Sequence, residues 1–224
     1  MENSTNPSKN TTDNIPVITE EKDLNGCPLQ NIYKGCLKSL LIDHKTLKSR
    51  IKELAHQIAD FYQNRHYIAL VVLNGANQLW MDLYRYLNEI YLSGKYDNYI
   101  HQEYIKIKSY HNTESSGVVS IYGEDVLKVE GKEVLVIEDI IDTGKTLTGL
   151  TELLKKRGAK SVQVFTLVAR KPRDELIVPV DFIGFIIPKG FIVGYGLDYN
   201  DYMRDIPFIG LMNDHGIEKF KSIK

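Results

Sequence analysis

The chain is poor in the residues that hold small secreted or metal-stapled folds together. Two cysteines, Cys27 and Cys36, occur in 224 residues. That is too few for a disulfide framework, and they lack the paired Cys/His spacing of a zinc site. A reducing, cytoplasmic setting is therefore expected. Neither sign of charge is in surplus: 28 Lys and Arg face 29 Asp and Glu, a formal net charge of -1. No bulk field draws such a protein to nucleic acid or to an anionic membrane, so neither is an expected partner and any phosphate site has to be local. No apolar run approaches the ~18 residues of a membrane span, and the opening MENSTNPSKNTTDN lacks the basic and apolar regions of a signal peptide. The six histidines are scattered without ligand spacing, and no internal repeat is visible.

What is present suits one α/β domain. A hydrophobic content of 43% can build a substantial core at this length. Residues 1–25, rich in Asn, Ser, Thr and charge with no apolar period, read as a disordered or loosely attached arm, and residues 26–224 as the domain. Ile51, Leu54, Ala55, Ile58, Phe61 and Tyr62 recur at helical spacing and lead into YIALVVL, a buried strand ending at Leu73. After the turn Asn74-Gly75-Ala76-Asn77, Leu79, Leu83, Leu87, Ile90 and Tyr91 mark a second helix. IHQEYIKIK then alternates like a strand with one wet face. The polar stretch at about 109–125 is long for a compact domain and reads as a mobile flap or an ordinary surface hairpin. A strand over 134–137, a loop, a helix carrying Leu147, Leu150 and Leu154, a stop at Gly158 and the strand SVQVFTLVA make a βαβ unit. With further strands at VDFIGFII and near PFIGLM, the order predicts a mostly parallel sheet covered by helices on both faces.

The chemistry concentrates in VLVIEDIIDTGKT. In an open parallel sheet ligands gather at the carboxyl ends of the strands, and Glu138 and Asp139 stand where the strand reaches that edge. Asp142, Thr143, Gly144, Lys145 and Thr146 open the next helix, whose free amides, dipole and threonine hydroxyls suit a phosphate. Isolated, Asp142 also reads as a helix N-cap and the acid pair as a solvated loop. Gly144-Lys145-Thr146 ends like a nucleotide-triphosphate loop, but that loop needs glycine where Asp139 stands. Carboxylates ahead of an anion cradle suit a sugar phosphate, with sugar hydroxyls on the acids and phosphate on the helix.

VLVIEDIIDTGKT resembles the phosphoribosyl-pyrophosphate motif of the type I phosphoribosyltransferases, in the form carried by the hypoxanthine-guanine branch of that family. The resemblance extends through KSY at Lys108 to Tyr110 and FIGFIIPKGFIVGYGLDYNDYMRD at Phe182 to Asp205, covering roughly residues 40–220. It implies the type I phosphoribosyltransferase fold, α/β with a mostly parallel sheet flanked by helices, a small hood built from the chain ends and a mobile flap. It also implies transfer of phosphoribosyl from phosphoribosyl pyrophosphate to a free purine base with Mg2+, releasing pyrophosphate, in a homodimer or homotetramer. On this resemblance Glu138 and Asp139 hold the ribose hydroxyls, directly or through magnesium, and Asp142 assists the proton at the purine N7. Thr143, Gly144, Lys145 and Thr146 take the 5'-phosphate. Asp198 matches a second magnesium ligand, Phe191 the aromatic that stacks on the base, Ile192 the residue whose backbone reads its edge, and Arg204 a pyrophosphate contact. Ser109 and Tyr110 belong to the flap.

The match is incomplete at the turn Leu73-Asn74-Gly75-Ala76, where Asn74 stands in place of the family's lysine beside pyrophosphate, and at Val168-Ala169-Arg170, where Ala169 replaces the lysine that donates to the purine 6-oxo group. Arg170, Lys171 or Arg173 are the nearby candidates for that donor, although adjacent strand residues point to opposite faces. These departures leave a second class open, a catalytically weak paralogue serving as a nucleotide-binding or regulatory module, and leave the preferred base open as well.

Overall fold

Apolar runs too short for helices alternate with amphipathic stretches, and the chain folds as that alternation dictates. The computed structural model describes residues 14–109, 119–122 and 127–221. In chain order the elements are β1 (Leu37–Ile42), α1 (His44–Tyr62), β2 (Tyr67–Leu73), α2 (Ala76–Leu92), β3 (Ile100–Ser109), β4 (Val119–Tyr122), β5 (Glu133–Ile141), α3 (Lys145–Lys156), β6 (Ser161–Ala169), β7 (Phe182–Ile186), β8 (Ile192–Val193), β9 (Ile209–Met212) and α4 (Asp214–Lys219). The large sheet has the order β4-β3-β2-β5-β6-β7, with β4 antiparallel to β3 and every other pairing parallel. Residues 110–118 and 123–125 of the expected flap lie outside the described residues; the strands on either side of 110–118 pair as a hairpin from Lys106↔Tyr122 to Ser109↔Val119.

Side-chain alternation explains why VLVI is apolar throughout. Leu135 and Ile137 pack with α1 and α2, whereas Val134 and Val136 pack with Leu147, Leu150 and Leu154 of α3, so both faces of β5 are buried. Asp43 starts α1 by accepting the Thr46 N–H at 2.8 Å. β5 extends to Ile141, four residues past the expected 134–137, because its pairing with β6 continues to Ile141↔Ala169. Glu138 and Asp139 therefore sit on the strand itself and not in a loop.

The alternation slips once, in the same row of three strands. Asp139, Leu167 and Gly184 are missing from otherwise continuous registers. Immediately after them, Ile140, Val168 and Phe185 pack on the α1–α2 side, where strict alternation would turn them toward α3. Gly184 is required here, since a Cβ would overlap the Leu167 carbonyl. The disturbed backbone is satisfied by side chains. The Thr166 hydroxyl donates to the Val168 carbonyl at 3.0 Å. Buried Arg50 of α1 donates from Nε to Gly184 and from Nη2 to Ile183, each at 3.0 Å. This slip decides which residues reach the strand ends facing the site.

Two expectations change. The PFIGLM strand, β9, leaves the large sheet and joins β1 and β8 in a small antiparallel sheet of order β1-β9-β8, over a separate core that includes Tyr33, Met203, Phe208 and Phe220. β1, unread in the sequence, comes from near the other end of the chain, so one short sheet unites both. Part of the arm at 1–25 is also attached: Ile18 donates to Ile186 at 2.8 Å, Ile186 to Pro16 at 2.9 Å, and Lys22 bridges Leu40. β7 is an edge strand, and its free backbone groups recruit the passing chain.

Candidate active site

At the carboxyl edge of the large sheet, beneath the small sheet, lies a cavity of about 530 Å³. β5 delivers Glu138 and Asp139 to one wall. The Glu138 carboxylate accepts the Asp139 N–H at 3.1 Å and the Asp139 carboxylate accepts the Ile140 N–H at 2.8 Å. Burial first, then the Asp139 charge, pushes the Glu138 carboxyl well above the usual glutamate range. Asp142 and Thr143 follow as exposed residues, and α3 begins behind Gly144. Gly144 has φ +89°, and a Cβ there would also crowd Val178. The residue at the N-cap of α3 is Gly144, not Asp142, and the Thr143 hydroxyl accepts the Lys145 N–H at 3.4 Å; Lys145, Thr146 and Leu147 of the first turn line the cavity. A helix start in a cavity favours a bound anion.

The facing wall is the turn that follows β8. Asp198 pairs with Arg204 at 2.8 Å and accepts the Asp201 N–H at 2.7 Å, while Arg204 also donates to the Gly196 carbonyl at 2.9 Å and to Asp201 at 3.0 Å. Tyr195 between them is fully buried with φ +54°, and its hydroxyl donates to Asp82 of α2, which also pairs with Lys48 of α1. Burial and Asp82 push the Tyr195 phenol up. The Lys48–Asp82–Tyr195 link was not foreseen, because no local pattern joins residues on three distant segments. The two walls meet at Asn74 and Gly75, after a cis Leu73–Asn74 peptide. A Cβ on Gly75 would overlap the Asp139 carboxylate, and a Cβ on Gly196 would overlap the Gly75 carbonyl. Phe191 stands half-exposed at the mouth, edge-on to Tyr199 with ring centroids 4.8 Å apart. Ile192 is fixed beneath it by its pairing with Leu211.

The sequence model of the phosphoribosyl transferase domain matches residues 39–200. The chain belongs to the phosphoribosyltransferase family. Among curated relatives, the hypoxanthine-guanine-xanthine phosphoribosyltransferase of Plasmodium falciparum is 35% identical over 213 residues, 92% of each chain. The hypoxanthine-guanine phosphoribosyltransferase of Bos taurus is 35% identical over 210 residues, covering 92% of this chain and 96% of that one. Among solved structures, a hypoxanthine phosphoribosyltransferase of Staphylococcus aureus superposes with a TM-score of 0.74 at 31% identity, covering 87% of this chain and all of that one.

Within this phosphoribosyltransferase fold the cavity gathers most of the expected residues: Asn74, Gly75, Glu138, Asp139, Asp142, Thr143, Gly144, Lys145, Thr146, Phe191, Ile192, Asp198 and Arg204 all line it. The three acids named for metal do not form one centre. Among the described residues no three His, Cys, Asp or Glu side chains come together to hold an ion. Glu138 and Asp139 lie on β5, and Asp198 lies across the cavity, held by Arg204. Ser109 ends β3 and Tyr110 lies outside the described residues. Ala169 does not belong to the cavity: it is fully buried on the α3 side, packed in the same cluster as Ile141, Leu150 and Ile183. The cause is the slip at Leu167, which exchanges the faces of the last residues of β6. Arg170, the next residue, lines the cavity instead.

Proposed function

We propose that this protein transfers the phosphoribosyl group of phosphoribosyl pyrophosphate to a free purine base, hypoxanthine or guanine, giving IMP or GMP and pyrophosphate in purine salvage. The observation that carries this reading is the meeting in one cavity of two strand-borne carboxylates, the N-terminal turn of α3 and an exposed aromatic, Phe191. Each meets a different part of a ribose 5-phosphate joined to a flat base.

In this reading the 5'-phosphate sits on Thr143, Gly144, Lys145 and Thr146, where helix amides and hydroxyls converge. The ribose 2'- and 3'-hydroxyls donate to Glu138 and Asp139. Departure of pyrophosphate leaves positive charge at the ribose C1, and the carboxylates fixed beside it stabilise that charge. Asp142, exposed at the end of β5, accepts the proton at the purine N7 as the base attacks; a positioned carboxylate in such a role accelerates a reaction by typically ~10²–10⁴-fold. Phe191 stacks on the base, and the Ile192 backbone meets its edge. Arg204, Asn74 and Gly75 face the pyrophosphate, with Arg204 exchanging Asp198 and Asp201 for phosphate oxygens.

Magnesium, when bound, neutralises pyrophosphate charge and favours its departure. The all-carboxylate donor set fits a hard divalent ion: Glu138 and Asp139 would hold it at one place and Asp198 at another. A homodimer or homotetramer in the cytoplasm belongs to the same reading. No helix among the described residues is long and apolar enough to cross a membrane. The deciding experiment incubates free hypoxanthine, guanine, xanthine and adenine separately with phosphoribosyl pyrophosphate and magnesium. IMP and GMP are the expected products; no nucleotide from any base would refute the reading.

A further inference from the structure

The base's own recognition is the part of the cavity that remains without a donor. A 6-oxopurine stacked on Phe191 presents a carbonyl oxygen that accepts from an N–H, whereas a 6-aminopurine presents N–H groups of its own. Among the described residues three cationic side chains line the cavity: Lys145, Arg170 and Arg204. Lys145 opens α3 at the anion cradle, and Arg204 is tied to Asp198, Asp201 and the Gly196 carbonyl on the far wall. Arg170 alone of the three comes from the end of β6 and bonds to the chain just before Phe191.

Its anchoring is specific. The Arg170 N–H donates to the Ile141 carbonyl at 3.0 Å, which holds its backbone beside Asp142. Its Nη1 donates to the Pro188 carbonyl at 3.0 Å, three residues before Phe191. A guanidinium carries five N–H groups in a rigid plane, so one bond to Pro188 leaves others to meet a ligand. Partial burial lowers the pKa of the group from its ordinary value and the Asp142 charge opposes that shift; an arginine so placed remains a cation. With strict alternation along β6, Ala169 would face the α1–α2 side; the slip shared by Asp139, Leu167 and Gly184 turns it to the α3 side. Arg170, the first residue past the strand, lines the cavity.

We propose that Arg170 reads the base: with its backbone held by Ile141 and its guanidinium by the Pro188 carbonyl, it donates to the 6-oxo group and makes the enzyme prefer 6-oxopurines to 6-aminopurines. The assignment rests on the phosphoribosyl transfer proposed above and names its specificity residue. Arg170 acts on the base and has no part in holding the phosphoribosyl donor, so its loss separates the two substrates.

The test measures kcat and KM for hypoxanthine, guanine and adenine, together with calorimetric binding of phosphoribosyl pyrophosphate and magnesium. It compares the wild type with Arg170→Ala, Arg170→Lys and Ala169→Lys. Arg170→Ala should lower kcat/KM for hypoxanthine and guanine about 10–100-fold, chiefly through KM, as loss of a charged hydrogen bond implies. Use of adenine should not fall, and donor affinity should stay within about twofold. Arg170→Lys keeps a charged donor and should restore part of the loss, which an unfolded or merely loosened loop would not permit. Ala169→Lys should bring no gain, because position 169 faces the α3 core. Equal loss for all three bases, or unchanged use of hypoxanthine and guanine by Arg170→Ala in an active enzyme, overturns the assignment and leaves the transfer reaction standing. A gain in hypoxanthine use by Ala169→Lys also overturns it. A wild type that forms nucleotide from no base overturns the transfer reaction, and the assignment with it.

Discussion

On one wall of the cavity, residues 138–146, polar groups face the opening; on the other, residues 194–205, they are tied mainly to one another. The first wall ends in the N-terminal turn of a helix, and its Asp142 and Thr143 are exposed. The second folds back on itself through Gly194→Leu197, Tyr195→Ile206, Gly196→Arg204 and Tyr199↔Tyr202 backbone bonds, with Asp198, Asp201 and Arg204 closing it by side chains. Its shape costs several residues an unusual backbone: Tyr195, Asn200, Asp201 and Met203 all have positive φ. One wall is a receptor held from behind by the sheet. The other is a self-sufficient turn that must release an ion pair before Arg204 can bind anything else.

The largest effect should come from the exposed end of the receptor wall. Asp142→Asn is expected to lower kcat by ~10²–10⁴-fold while phosphoribosyl pyrophosphate binding, measured by calorimetry, changes little. An unchanged kcat would remove Asp142 from the reaction. Next is the support behind that wall. Arg50→Met strands the buried Ile183 and Gly184 carbonyls, and at ~1–3 kcal/mol for each unsatisfied group the protein should lose roughly 2–6 kcal/mol in denaturant melts. Equal stability would show that water or a shifted backbone replaces Arg50.

The third prediction concerns pH. Because the fold raises the Glu138 pKa, its protonated form is the favoured one: the stability it contributes is full below the ordinary glutamate value of ~4.3 and is lost as pH rises through the raised folded value. Glu138→Gln imitates the protonated acid. It should melt higher than wild type at pH 8, with the gap closing toward pH 4; a gap independent of pH would show that charge is not its origin. The smallest effect sharpens the contrast between the walls. Asp201→Asn removes the outer partner of Arg204, an exposed pair of a kind worth ~0–1 kcal/mol, so pyrophosphate should bind up to about fivefold tighter. Weaker binding would mean that Asp201 aims Arg204 and does not compete for it.

The receptor wall was largely legible in the sequence, because an apolar strand that runs into Glu138 and Asp139 and then a Thr-Gly-Lys-Thr turn has few other physical meanings. The helices α1, α2 and α3 were legible for a similar local reason, their apolar stripes at helical spacing. The slip at Asp139, Leu167 and Gly184 was not. It is a property of three strands in register with Arg50 behind them, and no window on β6 alone reveals that Ala169 turns inward. The small sheet was hidden for a related reason: β8 is only Ile192–Val193, and β1 finds its partner β9 near the opposite end of the chain.

The stacked glycines where the walls meet also bear on how this protein can change over generations. Any side chain at Gly75 collides with Asp139, and any at Gly196 collides with Gly75 itself, so neither codon can drift without displacing a carboxylate or a main chain. Phe191 and Arg170, by contrast, are not glycines wedged against main chain: both line the cavity, and Phe191 is half-exposed. A library randomised at all four positions and selected on a new acceptor base should therefore return glycine twice and variety at the other two, confining innovation to the base while the sugar-phosphate grip is inherited unaltered.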